Sequence, residues 1–442
     1  MLADKRRTKC IVCGDQLLDD LVLIGNQYPA IVCPQLGTDY RRSMKTLSLN
    51  LTKCSRQECG LVQLRYDYNL DFVYKNYPYL SGGTATMKKI LGDVVQEVEG
   101  IVPLNQNDVV LDIGGNDGTL LSLLSKPVKK RINIDATIGI SSVIREDNYI
   151  RFESKFSART YLSLKQPLPQ AIFCVAVLYQ LDEPLAFCQQ VHKIMADDTV
   201  LCLQMTYLGS MLESNIYDNV VHEHVAHYSL GSLEYLLNKS GLEVWDAKIV
   251  ASYGGSLRVM VRKAKRKPRL CATKGARVIR EYERKMEFNS ADGLKRFNER
   301  IHLLKDFTRH LIDHIVGKHG KIFALGASTK GNMICQFLGL TQEQISCVLD
   351  NSDKKIGLVM TGSDIPIVDE KEYLLKLTDY LLVLPYYYTD FFKSLVQKHL
   401  QPRQTVYLLV PLPKPYFLKV SNEQINLVKE HEYAKVLHES NH

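Results

Sequence analysis

The chain has 442 residues, with 56 Lys and Arg against 48 Asp and Glu, a formal net charge of +8. At 45% hydrophobic and 24% charged residues it has the composition of an ordinary globular protein, which argues against a disordered, collagen-like or coiled-coil chain. No run approaches the length of a membrane span and Met1 to Thr8 is charged, so neither a membrane segment nor a secretory signal is expected, and a cytoplasmic location follows. Single cores stop growing well below this length, so several domains are expected. Eleven cysteines are present, five of them within the first 59 residues. The other six sit in apolar stretches such as Ile172-Phe-Cys174 and read as small buried hydrophobes in a reducing compartment.

The N-terminal cysteines fall in pairs. Cys10-Ile-Val-Cys13-Gly14 is a C-x2-C knuckle, and Cys54-Ser-Arg-Gln-Glu-Cys59-Gly60 is a second, looser pair, each followed by glycine. Two thiolate pairs on tight turns supply the four soft ligands of a tetrahedral structural zinc, with Cys33 as a spare. Four sulfur ligands leave no open position, so the expected metal holds a fold together and does no catalysis.

Further along, the apolar run Val109-Val-Leu111 enters the turn Asp112-Ile-Gly114-Gly-Asn116-Asp-Gly118 and leaves into a helix-like segment, the entry of an α/β unit. A dinucleotide fingerprint started at Gly114 requires glycine at Asn116 and Thr119 and finds neither. The pattern acidic-x-Gly-x-x-x-Gly fits the turn of S-adenosylmethionine methyltransferases, where carboxylates suit a cationic ligand better than a pyrophosphate. A second strand, Arg131 to Asp135, ends in an acid suited to ribose hydroxyls. Gln170 to Ala176 and Thr199 to Met205 read as strands four and five, with the loop Tyr179 to Pro184 at the carboxyl edge of the sheet.

Next come His222-Glu223-His224-Val-Ala-His227-Tyr228-Ser229 and a helix-like Leu230 to Asn238. This titratable group suits acid–base chemistry, with a structural turn and a His-x-His metal site as alternatives. Tyr253-Gly-Gly-Ser-Leu-Arg258 suggests close backbone approach and an anion clamp by Arg258. The basic run Arg262 to Arg269 lacks interleaved aromatics and reads as a solvated linker, not a nucleic-acid surface. Ala276 to Ile315 reads as a connecting helical pair.

A second strand–turn–helix begins at Lys321, with Gly326-Ala-Ser328-Thr-Lys330-Gly-Asn332 as its turn. It is no P-loop, yet small residues before a helix with Lys330 beside them suit an anion. Val348 to Asp350 is an acid-terminated strand, and Tyr380 to Pro385 and Val406 to Val410 continue an open parallel sheet able to take a nucleotide at its switch point. A dimerisation domain without ligand is the alternative.

At this point the chain resembles a known family, the three-domain S-adenosylmethionine-dependent sugar C-methyltransferases. These are NDP-4-keto-6-deoxyhexose 3-C-methyltransferases of the tetronitrose, mycarose and virenose type, which make branched deoxysugars for natural products and surface polysaccharides, lipopolysaccharide among them. The resemblance rests on Cys10, Cys13, Cys54 and Cys59 with Cys59-Gly-Leu-Val-Gln63, on Tyr77-Pro-Tyr79-Leu-Ser81, Leu111 to Gly118, Glu223-His224, Gly254 to Arg258 and Gly326 to Lys330, in that order along nearly the whole chain. It implies that His224 matches the general base, Glu223 its neighbouring carboxylate and Tyr79 the tyrosine near the reacting sugar, with His222 a substitute for a missing tyrosine. It implies Ser81 near the methionine tail of the cofactor, and the sugar nucleotide in the C-terminal domain. Three positions depart from the family: an asparagine, a histidine and a tyrosine are replaced by Ala176, Gln180 and Val221, which leaves an altered substrate and an impaired site both open.

The expected fold class is α/β. A small zinc-binding N-terminal module spans 1–75, a Rossmann-like S-adenosylmethionine methyltransferase domain 76–265, a helical connector 266–315 and a Rossmann-like nucleotide-sugar-binding domain 316–442. The expected site comprises His224, Glu223, Tyr79 and His222 for catalysis, and Ser81, Asp112, Gly114, Asn116, Gly118 and Asp135 for S-adenosylmethionine. Arg258, Gly326, Ser328, Lys330, Asn332 and Asp350 are expected at the substrate, and the four cysteines at structural zinc. The expected partner is a small NDP-sugar, with no nucleic acid and no membrane, in a monomer or homodimer. An O- or N-methyltransferase, an RNA methyltransferase and a zinc-containing scaffold without turnover are the competing readings.

Overall fold

The computed structural model describes residues 5–42, 44–68, 79–137, 139–265, 273–288 and 290–437. Tyr77, Pro78, Cys271 and residues 266–269 of the basic linker lie outside the described residues. The chain divides into two compact units, one of Met1–Leu21, Leu51–Ser210 and Glu223–Gly293, the other of Val22–Asn50, Met211–His222 and Leu294–His442.

The first unit is built on seven strands: β1 Val109–Ile113, β2 Lys130–Asp135, β3 Tyr149–Glu153, β4 Ala171–Val175, β5 Val200–Thr206, β6 Leu242–Val250 and β7 Ser256–Lys263. They lie in the order β6-β7-β5-β4-β1-β2-β3. β5, β4, β1, β2 and β3 are parallel, and β7 runs antiparallel to both β5 and β6. All of β1 and β5 is buried, as continuous apolar runs covered on both faces require. Sequence reading anticipates β1, β2, β4 and β5. It does not separate β3, a half-exposed edge strand, nor β6, whose alternation is broken by a register shift between Val244 and Asp246. Helix α1, Ala85–Ile101, is capped by Thr84 and buries Leu91, Val94, Val95 and Val98 against this sheet's core. Because β1 is flanked by β2 and β4, the chain leaves β1 and β4 toward opposite faces. Their carboxyl ends therefore frame the crevice where an open α/β sheet takes its ligand.

The second unit repeats the plan with β8 Ile322–Leu325, β9 Ile345–Asp350, β10 Ile367–Asp369, β11 Tyr380–Val383, β12 Thr405–Val410, β13 Tyr416–Ser421 and β14 Ile425–Leu427. Their order is β10-β9-β8-β11-β12-β13-β14, parallel as far as β12 and antiparallel beyond it.

The units do not follow the expected boundaries. Residues 22–50, assigned from sequence to the cysteine module, belong to the second unit because its C-terminal residues satisfy their polar groups. Gln336 exchanges two hydrogen bonds with the backbone of Tyr28, Asn332 Nδ2 donates to the Ala30 carbonyl at 2.9 Å, and Tyr40 Oη donates to Asp364 at 2.7 Å. The expected helical connector is split as well. Helix α2, Lys274–Met286, packs on β6 of the first unit, whereas the 29-residue α3, Ala291–His319, falls almost wholly in the second. No helix among the described residues is long and apolar enough to cross a membrane.

Candidate active site

The turn after β1 is forced by its backbone. Gly114, Asn116 and Gly118 all have positive φ, at 74°, 51° and 85°. A Cβ at Gly115 would lie 2.5 Å from Asp112 Oδ2 and 2.7 Å from Asn133 Oδ1, so only glycine fits there. Asp112 is fully buried, its Oδ2 lacks a hydrogen-bond partner, and burial, then Asp135 and Asp117, holds its carboxyl well above the usual carboxylate range. An acidic turn of this kind favours a cation over a pyrophosphate. The donor-rich, acidic turn thus fits a sulfonium with an amino-acid tail.

Asp135, at the end of β2, braces this turn. Its Oδ2 accepts the Asn116 N–H at 2.8 Å and its Oδ1 accepts the Thr137 N–H at 2.7 Å. Asn116 in turn clips the segment before α1. Its Oδ1 accepts the Ser81 N–H at 2.9 Å, and its Nδ2 donates to the Tyr79 carbonyl at 3.1 Å. Gly82 N–H donates to Asp117 at 2.9 Å. The structure therefore brings Tyr79 and Ser81 to the turn, with the Tyr79 side chain exposed. Sequence reading missed Asn116 as the agent of that docking, and a side chain bridging two backbones carries no sequence signal.

The loop after β4 lies on the other side of the crevice. Val177 packs over Gly114, where any Cβ would collide with it. Two residues on, the Tyr179 ring meets the His224 ring edge-to-face, with centroids 4.4 Å apart. This loop thus joins the turn to the histidine segment. The segment is also tied from below: Leu64 N–H donates to the Val225 carbonyl at 2.9 Å, and Ala226 and His227 pair antiparallel with Gln63 and Val62.

Glu223 is buried, its Oε2 has no hydrogen-bond partner, and burial pushes its carboxyl up to about 7. The folded state therefore holds this proton more tightly than the unfolded chain, so the contribution to stability is greatest below the ordinary carboxyl value of about 4.5 and is lost as pH rises toward 7. Relative to wild type, Glu223→Gln gains stability across that window, up to about 3 kcal/mol at pH 8. Denaturant midpoints at pH 4.5 and pH 8 check it, and equal differences at both would refute it.

His222 belongs to the second unit, is buried, and is pushed down to about 4 by that burial, so it stays neutral where His224 is expected to act.

Beyond strand 62–64 lie the cysteines. The sulfurs of Cys10, Cys13, Cys54 and Cys59 lie within 4.8 Å of one another, with Cys10 and Cys59 3.7 Å apart and Cys13 and Cys54 3.3 Å apart. Tetrahedral bonds of about 2.3 Å require sulfurs about 3.8 Å apart, so the donor set fits a metal ion. Gly14 and Gly60 take left-handed turns after the two pairs. Cys33 belongs to the other unit and is not part of the cluster. Among the described residues this is the only group of three or more His, Cys, Asp or Glu able to hold a metal, so a site at His222 and His224 finds no support in the geometry.

The expected substrate residues make the following contacts within the chain. Arg258 is 4% exposed on β7, its guanidinium donating to Gln204 at 2.6 Å, to the Asp93 carbonyl and to Glu97, so it ties α1 to the sheet. Asn332 uses its Nδ2 on the Ala30 carbonyl, and its buried Oδ1 has no hydrogen-bond partner among the described residues. Ser328 caps helix α4, Thr329–Leu338, by accepting the Gly331 N–H at 2.9 Å. Asp350 accepts the N–H groups of Ala327 and Ser352 and so braces the turn at Gly326, whose φ is 79°.

Lys330 is buried, 3.9 Å from Asp218 and 5.3 Å from the centre of the Tyr387 ring. Truncating one partner of a buried pair strands the other charge. Lys330→Met is therefore expected to cost about 3–5 kcal/mol, and adding Asp218→Asn to recover most of it, as urea midpoints would show.

A family profile described as a methyltransferase domain matches residues 85–247, and one described as a C-methyltransferase C-terminal domain matches residues 251–413. The C-methyltransferase NovU of Streptomyces niveus is 24% identical over 413 residues, covering 92% of this chain and 96% of that protein. Among solved structures, the complex of the Haloferax volcanii Trm112 methyltransferase activator with a putative methyltransferase aligns with 44% of this chain and 98% of that one, at 11% identity and a TM-score of 0.34. A putative methyltransferase from Bacillus halodurans aligns with 38% of this chain and 98% of its own, at 14% identity and a TM-score of 0.30.

Proposed function

This chain belongs to the S-adenosylmethionine-dependent C-methyltransferases, and we propose that it methylates C3 of a nucleoside-diphosphate 4-keto-6-deoxyhexose through an enolate, in the making of a branched deoxysugar. The observation that supports this most is the loop after β4, which touches the sulfonium-binding turn through Val177 and the histidine segment through Tyr179. A base is thereby held beside the cofactor turn on one sheet edge, as carbon methylation needs and simple cofactor binding does not.

His224 takes the proton from the carbon next to the ketone, which requires it within about 3 Å of that carbon's hydrogen. Tyr79, exposed at the docked segment, donates its hydroxyl to the oxygen on which charge develops. Glu223, kept largely protonated up to neutral pH by burial, holds the segment without adding a charge that would compete with the enolate. Asp112, Asn116, Gly118 and Asp135 hold the cofactor, and Ser81 lies at its methionine tail. S-adenosylmethionine held there would supply an electrophilic methyl group and leave as S-adenosylhomocysteine. The second unit takes the nucleotide diphosphate, and the four cysteines would hold a structural zinc.

Incubating the enzyme with methyl-13C-labelled S-adenosylmethionine and a dTDP-4-keto-6-deoxyhexose, then reading the product by NMR, tests the reading. A carbon-bound methyl supports it. A methyl on oxygen, or cofactor binding with no transfer over a panel of such sugars, overturns it.

A further inference from the structure

We propose that Tyr179 is the positioning residue for the base, acting through its ring; this rests on His224 being the base. The loop that carries Tyr179 is shaped for the purpose. Ala176 adopts φ 60°, a left-handed conformation that an alanine takes only when its surroundings compel it. Gln180 Nε2 donates to the Ala176 carbonyl at 3.1 Å and closes the turn Leu178–Gln180. Gln180 also hydrogen-bonds the Tyr179 hydroxyl, so the turn fixes the tyrosine it carries. Tyr179 is 7% exposed, with its ring at 74° to the imidazole.

Tyr179 acts through shape and exclusion of water. Burial pushes its hydroxyl up to about 12, so it stays neutral at working pH and does not compete for the proton that His224 removes. An edge-to-face pair fixes the imidazole plane at a defined angle and is worth about 0.5–1.5 kcal/mol beyond burial. Its rigidity comes from the same loop whose Val177 seats on the cofactor turn, so the base and the methyl donor are referenced to one short stretch of backbone. Misplacing a base by about 1 Å costs on the order of 100-fold in rate.

The inference separates ring from hydroxyl. Tyr179→Phe keeps the ring; Tyr179→Leu keeps apolar volume and removes it. In the substrate-free protein, the His224 ring-proton resonances, assigned by their loss in His224→Gln, are expected to keep their ring-current displacement in the Phe variant and to lose it in the Leu variant. Unchanged resonances in the Leu variant overturn the proposal, whatever the reaction proves to be. With S-adenosylhomocysteine bound and dTDP-4-keto-6-deoxyglucose in D2O, wild type is expected to exchange the proton at C3. Tyr179→Phe should then exchange within about twofold of wild type and Tyr179→Leu at least ~10-fold more slowly, with S-adenosylhomocysteine affinity unchanged in both. Exchange at the wild-type rate in the Leu variant also overturns it. If wild type exchanges nothing, the reading of the reaction fails, while the resonance experiment still decides the role of Tyr179.

Discussion

Replacing His224 by Gln should leave S-adenosylhomocysteine affinity within about twofold of wild type and lower the rate of methyl transfer by about 10²- to 10⁴-fold, the range a general base contributes. The two halves of this result follow from different contacts. The cofactor turn is held by Asp135, Asn116 and the docked segment at Tyr79 and Ser81, none of which uses the histidine ring. His224 packs on Tyr179 and lies two residues before the strand that begins at Ala226. Glutamine keeps the length and polarity of the side chain but cannot hold a proton at neutral pH. Isothermal titration with S-adenosylhomocysteine and initial rates with a 4-keto sugar nucleotide measure both quantities. Normal turnover with normal cofactor affinity would remove His224 from the mechanism, and a parallel loss of both would make it a structural residue of the turn.

What the sequence disclosed and what it hid follow from the range of the interactions. The turn Asp112 to Gly118 was legible because its constraint is local: positive φ and a close approach demand glycine or asparagine at fixed spacing. The paired cysteines were legible for the same reason, since each pair closes its own knuckle. The second unit's strands stood out as apolar runs covered on both sides. Arg258 and Lys330 read as anion sites because a cation near glycines looks the same in sequence whether or not it also has a carboxylate partner far along the chain. Glu97 and Asp218 are 161 and 112 residues from them, and no local pattern reveals that pairing. The chain's division was hidden for the same reason, since residues 22–50 and 211–222 are held by side chains of the C-terminal half. Glu283 is a further long-range case. Its carboxylate accepts the N–H groups of Leu230 and Gly231 and the Tyr207 hydroxyl, so a helix that reads as a connector fixes the far end of the histidine segment.

The largest effect on stability is expected from the metal that the four cysteines are proposed to hold. A structural zinc in a small cysteine module contributes about 10–16 kcal/mol of folding free energy, which equals or exceeds the net stability of about 5–15 kcal/mol of a typical protein. Here the loss does not stay local. Cys54 N–H donates to the Leu61 carbonyl at 2.9 Å, and that turn leads directly into Val62–Leu64. This strand carries one edge of the histidine segment, through Leu64 to Val225 and through Val62 to His227. Without a metal, Cys10 is drawn down to about 5, chiefly by a hydrogen bond from Cys59, while burial holds Cys54 up at about 12, so one thiolate is left buried in the cluster. Chelation, or Cys54→Ser, should therefore lower the melting temperature by more than about 10 °C and speed amide exchange at both Val62–Leu64 and Ala226–His227, while the C-terminal sheet β8–β12 keeps its protection. Both strands must loosen together, because each supplies the other's hydrogen bonds. A protein shown by elemental analysis to be metal-free, yet with unchanged melting and exchange at Ala226 and His227, would break the chain of contacts from the cysteines to His224.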